Sequence, residues 1–136
     1  MLAFILWFMT INTSTELHLS LGNIRQAKGY LYVAVYDSEA NFLNPDKMVD
    51  KKIVAVGNTG TVDIVFQNLP AGVYAVSCFH DLNGNGKLDT NLLGIPTEPY
   101  GFSNNARPKF RAPHWDEAKF YLKNGTETHA IWLEKW

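Results

Sequence analysis

The sequence predicts an all-β fold, an antiparallel β-sandwich of about seven strands with one long ordered loop. Three observations predict it. Apolar and polar residues alternate with period two along most of the chain, and no long stretch carries the helical period. Tight-turn signals separate the alternating runs: Gly57-Asn58-Thr59-Gly60, Asn68-Leu69-Pro70-Ala71-Gly72 and Lys123-Asn124-Gly125-Thr126. The chain of 136 residues suits one domain, assigned to residues 16–136.

The elements follow in order. Residues 16–21 put Leu17, Leu19 and Leu21 on one face and Glu16, His18 and Ser20 on the other. Residues 29–37 set Leu31, Val33 and Val35 against Tyr30, Tyr32, Ala34 and Tyr36. Residues 38–46 join two strands, and Phe42-Leu43-Asn44-Pro45 within them reads as a helical turn. Residues 52–56 form a short apolar strand that ends at a turn. Residues 61–67 alternate Val62, Ile64 and Phe66 with Thr61, Asp63 and Gln67. Residues 73–80 are rich in β-branched and aromatic side chains. Residues 118–122 and 128–133 bracket an Asn-Gly turn and read as a hairpin. His18 and His129 are expected on outer strands, facing solvent.

Residues 90–115 break this rhythm. Connections of that length carry function or are disordered. This one holds Leu92, Leu93, Ile95, Tyr100, Phe102, Phe110 and Trp115, which argues for an ordered segment packed on the sandwich.

Residues 1–9 are an apolar run, followed by the polar stretch 10–16. The run has the length of a signal-peptide core and is too short to span a bilayer as a helix. Residues 1–15 are therefore read as a leader-like segment, with export as the expected fate, periplasmic or extracellular. The alternative is a hydrophobic first strand.

Net charge is −1, with 18% charged and 46% apolar residues. Nucleic acid is a poor partner for such a chain. The basic stretch Arg107-Pro108-Lys109-Phe110-Arg111 reads as a solvated loop. The one cysteine, Cys78, has no partner for an internal disulfide and reads as a small buried residue within a strand. A catalytic thiol beside His80 is the alternative.

The chemistry-bearing segment is Asp81-Leu82-Asn83-Gly84-Asn85-Gly86-Lys87-Leu88-Asp89. Hard cations take oxygen ligands, and Ca²⁺ takes six to eight of them. Asp81, Asn83, Asn85, Lys87 (through its carbonyl) and Asp89 fall at the ligand positions of an EF-hand loop, with Gly86 at the turn. The bidentate Glu expected at the twelfth position is replaced by Leu92, and a strand enters the loop. The segment is thus EF-like without being an EF-hand. Glu98, Asn91 or water are the candidates to complete a Ca²⁺ site of modest affinity. An Asx-rich turn with no ion is the alternative.

Around this loop the sequence resembles the bacterial DUF2141 family. The resemblance rests on His80-Asp81-Leu82-Asn83-Gly84-Asn85-Gly86-Lys87-Leu88-Asp89-Thr90-Asn91, then Gly94-Ile95-Pro96 and Tyr100-Gly101-Phe102-Ser103-Asn104-Asn105-Ala106. Leu69-Pro70-Ala71-Gly72-Val73-Tyr74-Ala75-Val76 and Val33-Ala34-Val35-Tyr36-Asp37 fit as well. It runs from about Leu17 to Leu133 and implies an exported protein of uncharacterised function. The chain also looks similar to transthyretin-like, carboxypeptidase-regulatory and immunoglobulin-like sandwiches.

Tyr100, Phe102, Asn104, Asn105 and Arg107 combine aromatic faces with amide and guanidinium donors, which suits glycan or peptide recognition. The competing reading has the two asparagines holding loop backbone and the aromatics covering the core edge. For catalysis the candidates are Cys78, His80, Asp81, His114, Asp116 and Glu117, none in a recognised catalytic spacing. The preferred expectation is a non-catalytic exported module with a Ca²⁺-type loop and an unidentified protein or glycan partner. The alternatives are a small hydrolase using His80 and Asp81, a zinc site from His80, His114 and Asp81, and an ion-free structural accessory of the envelope.

Overall fold

The computed structural model describes Ile5 and residues 15–136. The leader-like segment 1–15 therefore lies outside the described residues, apart from Ile5 and Thr15. Among the described residues there are eight strands: β1 (Glu16–Ile24), β2 (Tyr30–Tyr36), β3 (Asp50–Ala55), β4 (Gly60–Gln67), β5 (Gly72–Asp81), β6 (Tyr100–Phe102), β7 (Phe120–Leu122) and β8 (Thr126–Trp132). A single helical turn, α1 (Trp115–Ala118), precedes β7.

The strands form two sheets. One has the order β4-β1-β8. The other has the order β3-β2-β5-β6, with β7 also on β5. Their facing sides bury the alternating residues that the sequence placed inward. Leu17, Leu19 and Leu21 of β1 meet Leu31, Val33 and Val35 of β2, with Phe66, Val76, Leu122 and Ile131 around them. Each such side chain removed from water contributes about 1.5–3 kcal/mol, so this layer is the main source of stability.

Three expectations change. The segments 118–122 and 128–133 are not a hairpin. β7 pairs with β5, whereas β8 pairs with β1, so the Asn124-Gly125 turn hands the chain from one sheet to the other. The β1–β8 ladder is parallel, the exception in otherwise antiparallel sheets. β1 is consequently central rather than outer. His18 hydrogen-bonds Glu16 at 2.8 Å on its outward face. His129 faces inward instead, its ring 4.2 Å from that of Phe120.

The eighth strand comes from the long segment. β6 pairs with residues 77–79 of β5, and β7 with residues 72–74 of the same strand. The ladder breaks between them, which would leave the Val76 N–H unpaired. Ser103 fills the break. Its fully buried hydroxyl accepts the Val76 N–H at 2.9 Å and donates to the Ala118 carbonyl. An unpaired buried amide costs about 1–3 kcal/mol, so this serine holds three elements together.

Residues 38–47 form a series of turns rather than a helix, closed by bonds such as Asn44 N–H to the Asn41 carbonyl at 2.9 Å. Phe42 projects from them onto the outer face of the five-stranded sheet. It meets Tyr36 edge-on at 5.6 Å and Trp115 of α1 at 5.7 Å. This second cluster, with Ala75 and Ala118, covers one end of that face.

Candidate functional site

β5 ends at Asp81, where the chain must turn. Strand neighbours point to opposite faces, so His80 enters the core side while Asp81 lies on the outer side opposite Tyr30. Asp81 is fully buried, and both its oxygens accept backbone amides of the loop that follows. Oδ1 takes the Gly84 N–H at 3.1 Å and Oδ2 takes the Gly86 N–H at 2.8 Å. Gly86 sits at φ +78°, a conformation that an L side chain rarely adopts. The aspartate thus winds the loop around itself.

The remaining predicted ligands converge on Asp89. The Asn83 side-chain amide donates to Asp89 Oδ2 at 2.6 Å, and that of Asn85 donates to Oδ1 at 2.6 Å. The Asn83 oxygen accepts the Asn85 N–H at 3.2 Å, and the Asn85 oxygen accepts the Lys87 N–H at 3.0 Å. Lys87 enters this network only through its backbone.

Glu98 closes the loop from the long segment. It is 4% exposed and accepts the Leu82 N–H at 2.7 Å and the Asp89 N–H at 2.9 Å. One carboxylate therefore ties the two ends of the loop together. Asn91 does something else: its oxygen accepts the Leu93 and Ile95 amides and makes its own turn. Leu92, at the position where an EF-hand has glutamate, is fully exposed. Among the described residues, none of Asp81, Asp89 and Glu98 forms a salt bridge, and no three His, Cys, Asp or Glu side chains are grouped to share one ion. Any ion here would rest on amide and backbone oxygens as much as on carboxylates.

The other candidate residues are dispersed. The His80 ring is buried and its Nε2 bonds the Lys28 carbonyl at 2.7 Å, 52 positions away in sequence. Because His80 and Asp81 leave opposite faces of β5, they do not form a dyad. Cys78 bonds the Gly101 carbonyl at 3.6 Å, and burial pushes its thiol up to about 12, far from the thiolate that a nucleophile needs. His114 is exposed at the start of α1, where Glu117 caps the turn by accepting its N–H at 2.8 Å. Arg111, hydrogen-bonded to Glu117 at 2.6 Å, is the main reason that the Glu117 carboxyl lies at about 2. Asp116 pairs with Lys119 at 2.7 Å. Neither a His80–Asp81 hydrolytic pair nor a His80–His114–Asp81 zinc set is assembled.

The second motif is mostly committed to the backbone. The Asn104 amide donates to the Glu117 and Lys119 carbonyls at 3.2 and 2.8 Å. Asn105 accepts the Trp132 N–H at 2.9 Å. The Arg107 guanidinium donates to the Tyr100 carbonyl at 3.1 Å and lies 4.2 Å from the centre of the Tyr100 ring. Arg107 is therefore a staple rather than part of a solvated basic stretch. Tyr100, Phe102 and Arg107 also line a groove of about 420 Å³, together with Leu93, Phe110 and Trp136. Sequence reasoning missed Ser103 and Gly29: Ser103 lies within the second motif but was given no role, and Gly29 lies in no motif. The only signal for Gly29 was a glycine just before an alternating run.

Among the described residues, no helix is long and apolar enough to cross a membrane. A family model described as an uncharacterized protein conserved in bacteria (DUF2141) matches residues 19–130, more than half of the chain. No curated protein and no solved structure matches it.

Proposed function

We propose that this chain, which belongs to the DUF2141 family, is a non-catalytic, exported β-sandwich module whose loop 81–89 takes a Ca²⁺-type cation. The cation would clamp the segment 90–115 to the sandwich. The observation that carries the reading is the convergence of Asn83, Asn85 and Asp89 within a loop already wound by Asp81 and tied by Glu98. Three carboxylates lie in or against this loop without a basic side chain bonded to them. Each is hydrogen-bonded to amides, but their negative charges are not neutralised, so a divalent ion has an electrostatic reason to enter. An asparagine amide exchanges donor for acceptor by a half-turn, which would set oxygens toward the ion.

Thermal melting with added CaCl₂, MgCl₂ or chelator tests this. Binding at a hundred times Kd stabilises the fold by about 2.7 kcal/mol. A rise in Tm with Ca²⁺ that is lost in Asp89→Asn is expected. An unchanged Tm at millimolar Ca²⁺ leaves an ion-free Asx turn. Export is tested separately, by sequencing the N-terminus of the protein recovered from the cell envelope; a start after about Thr13 is expected.

The groove beside Arg107 supports the partner half of the reading. Its aromatic lining and its two arginines, Arg107 and Arg111, suit a glycan or a peptide. A glycan and peptide array read against Phe110→Ser, an exposed position, tests it. Binding that is lost in the variant supports the groove, and binding that is unaffected moves the partner elsewhere.

A further inference from the structure

The chain contains three Asn-Gly dipeptides: Asn83-Gly84, Asn85-Gly86 and Asn124-Gly125. This pairing is the one most open to spontaneous deamidation, because glycine leaves its own nitrogen free to attack the preceding side chain. The fold treats the three differently. The Gly84 and Gly86 amides are both held by the Asp81 carboxylate, at 3.1 and 2.8 Å. The Asn83 and Asn85 side chains are both tied to Asp89 at 2.6 Å. Among the described residues, no hydrogen bond engages the Gly125 N–H or the Asn124 side chain, and the turn is exposed.

We infer that Asn124 is a site of spontaneous modification to aspartate and isoaspartate, and that Asp81 shields Asn83 and Asn85 from the same reaction. The Gly125 nitrogen loses its proton to hydroxide and attacks Asn124 Cγ. A C–N bond forms, the Cγ–Nδ2 bond breaks, and ammonia leaves with a proton from water. Water then opens the succinimide at either carbonyl. Opening at Cγ gives aspartate, and opening at the main-chain carbonyl gives isoaspartate. No oxidant or cofactor enters. At Gly84 and Gly86 the first step is opposed, because a carboxylate acceptor stabilises the N–H that must be lost. The tie to Asp89 further keeps each Cγ from swinging onto its glycine nitrogen.

The site has a structural consequence. The Gly125 carbonyl accepts the Glu16 N–H at 2.9 Å, at the point where the parallel β1–β8 ladder begins. Isoaspartate routes the main chain through Cβ and lengthens this turn by one methylene. The start of β1 is thereby loosened. The change also adds a negative charge at the surface.

The test incubates the full chain in mildly alkaline buffer made with H₂¹⁸O, with chelator present so that no cation contributes. Fragmentation mass spectrometry then locates the label. In the folded protein, label is expected at residue 124, with conversion at 83 and 85 slower by roughly tenfold or more, as for reactions gated by local opening. In urea the three rates are expected to converge. Native conversion at 83 or 85 as fast as at 124 overturns the shielding. Conversion at 124 in urea only overturns the site. In Asp81→Asn, faster conversion at 83 and 85 with an unchanged rate at 124 is expected wherever circular dichroism shows a folded protein; unchanged rates at all three residues overturn the role of Asp81. If that variant does not fold, the comparison of native and urea samples decides alone. Faster hydrogen exchange at the Glu16 amide after conversion checks the loosening.

Discussion

Gly29 is pressed against the Asp81 carbonyl so closely that a Cβ added to it would lie 2.0 Å from that oxygen. The glycine sits at φ +71° and its own carbonyl accepts the Val56 N–H at 3.0 Å. It is the hinge from which β2 starts beside the candidate loop. Gly29→Ala meets both backbone oxygen and a strained φ. Backbone strain of this kind costs about 1–3 kcal/mol even without a clash. Urea denaturation of Gly29→Ala is expected to show a loss at or above the top of that range. A loss under 1 kcal/mol would mean that the loop moves aside freely.

Glu98 makes its contribution through two backbone amides that nothing else satisfies. Glu98→Gln keeps one acceptor oxygen and replaces the other with an amide NH₂, which only donates. One of the Leu82 and Asp89 amides then faces a donor. The expected cost is about 1–3 kcal/mol in chemical denaturation. Amide exchange at Leu82 or Asp89 is expected to rise while the β1 core amides stay protected. Equal acceleration everywhere would mean global loosening rather than a lost tie.

Asn105 separates a scaffolding role from a recognition role. It holds the Trp132 N–H at 2.9 Å and sits at φ 50°, where asparagine is tolerated better than alanine. Asn105→Ala loses the bond and gains strain, so a drop of about 1–3 kcal/mol in stability is expected. An unchanged melting curve would return Asn105 to the list of ligand-facing residues.

Cys78 gives a pH dependence with a defined sign. Burial raises its thiol from an ordinary 9.0 to about 12. The folded state therefore holds the proton where the unfolded chain releases it. Its contribution is complete below 9.0 and is lost as the pH rises from there to about 12. Cys78→Ala is expected to flatten the alkaline limb of a stability–pH profile. The native protein is expected to resist a thiol reagent at neutral pH and to react once unfolded. Rapid native labelling would contradict the burial.

Much of the fold was legible because a half-buried strand must alternate. Leu17, Leu19 and Leu21 could only be one face of a strand, and the turn signals cut the chain where the strands end. The loop 81–89 was legible for a related reason, since Asx and glycine residues at alternate positions have few other uses. What could not be read was which strand lies beside which. The Asn-Gly turn has the local chemistry of a hairpin, yet β8 crosses to pair in parallel with β1, because pairing is decided by which apolar faces must be covered. Ser103 was silent for the same reason: its hydroxyl matters only where two short strands leave Val76 without a partner. The sequence by itself determined the strands, their buried faces and the oxygen-rich loop, all of which follow from residue order over a few positions. The tertiary structure alone decided that Glu98 ties the loop and that the His80 ring meets the Lys28 carbonyl. It also decided that two Asn-Gly pairs lie under a carboxylate while the third is open. These relations depend on distances between residues far apart in the chain, which local periodicity does not encode.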